Sequence, residues 1–202
     1  MGKSAFLLLI VMFGFCLTNV YGQPDIGFGI KAGINLSDQV TTGTGEGVNV
    51  RSILRPHGGV YLNYFVFDKL AVQPELLVSG KGSDWDDPYY NVRDLLTYID
   101  IPVMVKYQVI KMVNISAGPQ FGYLLKAVQK DNESGDKENI NDYYKKPDFA
   151  VSIGAEANLP YRINVSLRYV IGLLDTTTDV EYIEPWRNNS FQISAGFRIL
   201  GK

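Results

Sequence analysis

Eight times along this chain, apolar side chains alternate with polar or small ones at a period of two, and no other feature constrains the fold as strongly. In the last such segment Phe191, Ile193, Ala195, Phe197 and Ile199 interleave with Ser190, Gln192, Ser194, Gly196 and Arg198. In the one before it Ile163, Val165, Leu167, Tyr169 and Ile171 interleave with Asn164, Ser166, Arg168, Val170 and Gly172. Near the start Phe28, Ile30, Ala32, Ile34 and Leu36 share one face, and Gly27, Gly29, Lys31, Gly33 and Asn35 the other. Successive side chains of a strand point to opposite sides, so each segment reads as a strand with one apolar face. The early glycines do not make a dinucleotide loop. Such a loop needs GxGxxG between a strand and a helix, whereas the spacing here is GxGxxxG and nothing helical follows.

The remaining segments lie at residues 56–66, 70–80, 95–107, 113–125 and 148–159. Their connections alternate in length, long at 37–55, 81–94, 126–147 and 174–189 and short at 67–69, 109–111 and 160–162. An even strand number, short turns at one end and longer loops at the other is the pattern of outer-membrane barrels. The expected fold is therefore all-β, an eight-stranded antiparallel up-and-down transmembrane β-barrel with both termini on the periplasmic, short-turn side.

Periodicity alone does not say which face looks outward, since a soluble barrel would bury its apolar face around a ligand. The composition of the other face decides. A wetted exterior is rich in Lys and Glu, whereas this face carries Gly27, Gly29, Gly33, Gly59, Gly118, Gly122, Gly154, Gly172 and Gly196, with Ser116, Ser152, Ser166 and Ser194. Small residues suit the crowded interior of an eight-stranded barrel. The apolar face carries no charge in any of the eight segments, as lipid exposure requires. Pro74, Pro102 and Pro119 fall inside the third, fourth and fifth strands, where each removes a ladder donor, and a locally bulged patch is expected to hold them.

Residues 1–22 read as a signal peptide, with Lys3 before the apolar run 5–20 and small residues at the end, leaving 23–202 as one outer-membrane β-barrel domain. Cys16 falls inside that run, so the exported chain has no cysteine. Lys3 is the segment's only charge; removing it leaves 18 basic residues against 21 acidic ones, a net charge of −3, with no basic block. Nucleic acid is excluded as a partner. Outer-membrane lipid is the expected surrounding, and a monomer the expected state.

Seven charged residues share the inward face: Lys31, Glu75, Asp100, Lys106, Glu156, Arg168 and Arg198. Ions in a narrow lumen must pair, so a structural salt-bridge network that plugs the barrel is expected in preference to a small channel. His57, the only histidine, together with Ser83 and Asp84 suggests a Ser-His-Asp arrangement at the rim, as in an outer-membrane acyltransferase, but a charged lumen would not hold an acyl chain. His57 is read instead as a solvated rim residue. Two acidic stretches, Asp84, Asp86 and Asp87 with Trp85, Tyr89 and Tyr90, and the run Asp131 to Asp136, lack the spacing of a calcium loop. No catalytic residue, cofactor or metal is expected. Asn-x-Ser triplets begin at Asn35, Asn114, Asn132, Asn164 and Asn188, and those at Asn114 and Asn164 face the lumen, where no glycan fits.

The stretches GIKAGINLS, VQPELLVSGKG, YIDIPVMVKY, ISAGPQFGYLL and NSFQISAGFRI resemble the Bacteroidetes outer-membrane β-barrel family typified by PorT, over nearly the whole exported chain. The resemblance includes the three prolines. It departs at the ending Ile199-Leu200-Gly201-Lys202, where many outer-membrane proteins finish on an aromatic residue. The resemblance implies a barrel of a Gram-negative outer membrane and names no activity, though PorT itself is associated with secretion of surface proteins. With the charged lumen, the expected protein is a non-enzymatic barrel acting through its extracellular loops or as an accessory factor in secretion or envelope assembly, with a protein partner at the loops or at the periplasmic turns.

Overall fold

The computed structural model describes residues 26–41, 49–87, 90–178 and 186–201; the signal segment and Cys16 lie outside them. Nine strands follow in order: β1 Ile26–Thr41, β2 Asn49–Phe67, β3 Leu70–Asp87, β4 Tyr90–Ile110, β5 Val113–Asp131, β6 Lys137–Asn139, β7 Pro147–Asn158, β8 Ile163–Gly172 and β9 Trp186–Leu200. All but β6 form a ring in which each strand pairs antiparallel with its neighbour along the chain, and β9 returns to pair with β1. Eight strands thus close an up-and-down barrel, and β6 is a short addition on the edge of β5.

Burial is inverted relative to a protein in water. Ile30, Leu76, Ile101, Ile153, Leu167 and Ile193 point outward and are exposed, while Lys31, Glu75, Asp100 and Gln192 point inward and are buried. An apolar band of this extent needs hydrocarbon as its solvent, and a closed sheet leaves no unpaired edge there.

The first five strands run well past the sequence-derived limits, so most of the stretches 37–55, 81–94 and 126–147 are not loops. At roughly 3.3 Å per residue and a tilt near 45°, the 21-residue β4 climbs about 50 Å, twice the roughly 25 Å apolar band. The reason the alternation stops early is solvent. Above the lipid both faces of a hairpin meet water or polar groups, so pairing continues while the apolar signal ends.

The prolines keep register. Pro74 opposes Val103 and Leu77 opposes Asp100, and Pro102 opposes Gln120 while Val105 opposes Ala117, so the ladder lapses beside them without a shift. The expected bulged patch is absent at that level. Irregularities fall elsewhere, between Ser52 and His57 against β3 and between Thr97 and Tyr98 against β5. A missing donor costs one hydrogen bond, whereas a slip would turn every inward charge towards lipid. At the short-turn end Tyr161 and Arg162 both take positive φ, 61° and 66°, giving the tight connection whose twist suits two flanking strands.

Candidate functional site

The chemistry of this chain is gathered inside the barrel, in two buried ion networks and a cap. In the first, Glu75 on β3 accepts two hydrogen bonds from Arg168 on β8, Nη2 to Oε1 at 2.8 Å and Nη1 to Oε2 at 3.0 Å, and one from Lys31 Nζ on β1 at 2.8 Å. Strands β3 and β8 lie diametrically opposite in the ring, so this pair bridges the lumen. Gln73 extends the network, donating to Glu75 at 2.5 Å and accepting from Lys106 at 2.8 Å, and Lys106 pairs with Glu156 on β7. The network holds three cations and two carboxylates.

The second network has the opposite balance. Lys81 Nζ lies 3.0 Å from Asp100 Oδ1, 3.1 Å from Asp148 Oδ2 and 4.4 Å from the centre of the Tyr98 ring. Asn188 on β9 donates to the Tyr98 hydroxyl and to Asp148, both at 3.2 Å, which again joins β4 to the strand opposite it. Among the described residues the two networks together hold four cations and four carboxylates, each ion paired as a low-dielectric space demands, and Asp94 is a further buried carboxylate. Glycines make the space. A Cβ on Gly122 would stand 2.9 Å from Asp100 Oδ1 and 3.0 Å from the Asp148 Cβ.

Six of the seven charges expected at the lumen, namely Lys31, Glu75, Asp100, Lys106, Glu156 and Arg168, are buried there, and they fall into the two networks. Arg198 is not in either. It sits at the short-turn mouth in a polar vestibule with Asn63, Asp68, Lys69, Asn114 and Asn158. Lys81, Asp148 and, at the long-hairpin end, Asp94 are buried charges missing from the sequence-derived set. Lys81 shares the parity of Glu75, but lies one residue past the point where the apolar alternation of its strand ends; Asp148 shares the parity of Glu156. The interior also buries Tyr61, Leu77, Met104 and Val170.

A cap lies at the long-hairpin end. The segment after β6 runs along β5, with the amide of Ile140 donating to the Ala127 carbonyl and that of Leu124 donating to the Lys146 carbonyl. It drives Ile140 and Tyr144 against Leu96, Tyr98, Leu124 and Ala127, a buried apolar cluster. The Tyr144 hydroxyl donates to Asp94 Oδ2 at 2.7 Å and accepts from Gln39 Nε2 at 3.3 Å. Burial and the neighbouring Asp94 carboxylate push that hydroxyl well above its ordinary range. Across the same end the Trp85 and Trp186 rings meet edge to face at 4.4 Å.

His57 is not a solvated rim residue. It is buried, its Nε2 lies 2.8 Å from Ser194 Oγ, and Gly33 on the intervening strand leaves the room, since a Cβ there would come within 2.8 Å of the ring. Ser83 donates instead to Gln39 at 2.7 Å and Asp84 pairs with Arg93, so the three residues do not assemble into a triad. Asp86 pairs with Arg51 at 2.6 Å, and Asp131 closes its own turn by accepting from the amides of Glu133 and Ser134 at 2.8 Å. Among the described residues no three His, Cys, Asp or Glu side chains converge on one point. The triplet asparagine Asn35 is buried and donates to Ser79 Oγ and the Gly80 carbonyl.

Solved structures are similar to this chain at low identity. Neisserial surface protein A is 8% identical, with 85% of this chain and 97% of that one covered at a TM-score of 0.54. Ail, the attachment invasion locus protein of Yersinia pestis, is 12% identical over 86% and 98% at 0.49, and OprG of Pseudomonas aeruginosa 12% identical over 90% and 99% at 0.45. No curated protein sequence matches the chain. The profile of the outer membrane protein beta-barrel domain matches residues 21–178, most of the length. With its closed eight-stranded ring, lipid-facing exterior and ion-filled interior, this chain belongs to the outer membrane protein beta-barrel domain family.

Proposed function

We propose that the protein is a closed, non-enzymatic monomeric barrel that conducts nothing and works through the hairpins that rise above the membrane. The observation that carries this reading is the bridge from Arg168 to Glu75 across the full width of the lumen, backed by the Lys81 network and capped by Tyr144. A water column would have to break each in turn. The hairpins are stiffened by cross-strand pairing, which suits a recognition surface held at a fixed height.

Resemblance to PorT adds a second reading, an accessory role in secretion or envelope assembly with a partner at the periplasmic turns. Two measurements separate the readings. Purified protein in planar bilayers is expected to give no steady current; discrete openings of constant size would overturn the plug. Proximity labelling from Ser134, at the hairpin end, is expected to recover partners that labelling from Asp68, at the turn end, does not. Partners recovered from Asp68 alone would favour the accessory role.

A further inference from the structure

One row of side chains on the outer flank is unfavourable as it stands. Following the ladder from strand to strand, Arg51 opposes Asp84, Asp84 opposes Arg93, Arg93 opposes Lys130, and Lys130 opposes Lys137. Four cations and one carboxylate thus lie side by side across β2 to β6. Asp84 is taken up by Arg93 and by Asn132 Nδ2 at 2.8 Å, and Arg51 by Asp86, which leaves Lys130 and Lys137 facing each other with no carboxylate partner among the described residues. Like charges directly opposed across two strands destabilise the pair.

The row borders a groove of about 590 Å³, and a fifth cation enters it. Between Ser52 and His57 the ladder to β3 lapses, and Arg55 lies there against Gly80, whose Cβ would meet the Arg55 side chain at 2.9 Å; the Arg55 Nε has no hydrogen-bond partner among the described residues. The groove is not purely polar. Leu54, 66% exposed, and Leu95 line it, and Leu54 opposes Leu36 in an outward apolar row of β1. Cations gathered immediately above a lipid-facing leucine match an amphiphile whose anionic head lies at that height.

We propose that this groove binds the phosphorylated headgroup of an outer-leaflet glycolipid, with its phosphates between Lys130, Lys137 and Arg55 and its hydrocarbon against Leu54. An anion there turns the repulsion between the two lysines into a shared attraction. The site lies outside the barrel and does not depend on whether the lumen conducts. Protein in phosphatidylcholine nanodiscs doped with bisphosphorylated lipid A is expected to bind it saturably, and the double substitution Lys130→Gln with Lys137→Gln to weaken binding roughly tenfold to thirtyfold while the barrel stays folded. Lys137→Glu should raise the unfolding midpoint in urea and abolish binding, because it replaces an opposed pair of cations by an ion pair. Unchanged affinity in the double variant would overturn the site, as would equal affinity for lipid A stripped of its phosphates. Inorganic pyrophosphate binding as tightly as the lipid would overturn the glycolipid assignment in favour of a soluble anion.

Discussion

Glu75 carries more of the interior than any other single side chain, because two cations from two strands meet on its carboxylate. Glu75→Gln keeps the shape and removes the charge, leaving Lys31 and Arg168 buried together, and is expected to cost roughly 3–5 kcal/mol in urea unfolding. Glu156→Gln should cost less, since Lys106 keeps its hydrogen bond to Gln73. Gly122→Ala forces a methyl group between Asp100 and Asp148 and should cost roughly 1–3 kcal/mol by overpacking. His57 teaches the limit of reading single residues. Its position near a loop suggests solvent, but the same parity that puts Lys31 and Glu75 inside puts His57 there too, and only the closed ring brings Ser194 to it across Gly33.

At the scale of elements, the hairpins were the least legible part. Alternation reports a difference between two environments, and above the lipid that difference vanishes, so β3 to Asp87 and β5 to Asp131 carry no apolar signal. Ion pairs across strands, such as Arg93 with Asp84, hold these extensions instead. Tyr144 anchors the cap between them. Tyr144→Phe removes the hydroxyl from Asp94 and Gln39 and should loosen segment 137–146, seen as faster amide exchange at Ile140 and Tyr144 while strands β7 to β9 stay protected. The two-ended topology has its own check. A cysteine at Ser134 is expected to react with an impermeant thiol reagent on intact cells, and cysteines at Asp68 or Arg162 are not. Trp85 is a poor reporter because its ring packs on Trp186.

For the whole molecule, the expectation is a barrel that fractionates with the outer membrane and migrates differently on a gel before and after heating. Recovery as a soluble monomer without detergent would contradict both the exposed apolar band and the family assignment. Strand number, the lipid-facing side of each strand and which end has short turns are local properties, and the sequence by itself determined them: a period of two needs only neighbouring residues and the contrast between hydrocarbon and a packed lumen. Six interior charges were legible for the same reason. How they pair was not, because Arg168 and Glu75 stand 93 residues apart and meet only once eight strands have closed. Ring closure and register likewise decided the second network around Lys81, the seating of Tyr144 in the mouth, and the row from Arg51 to Lys137, which is no motif in the chain and exists only where five strands lie side by side.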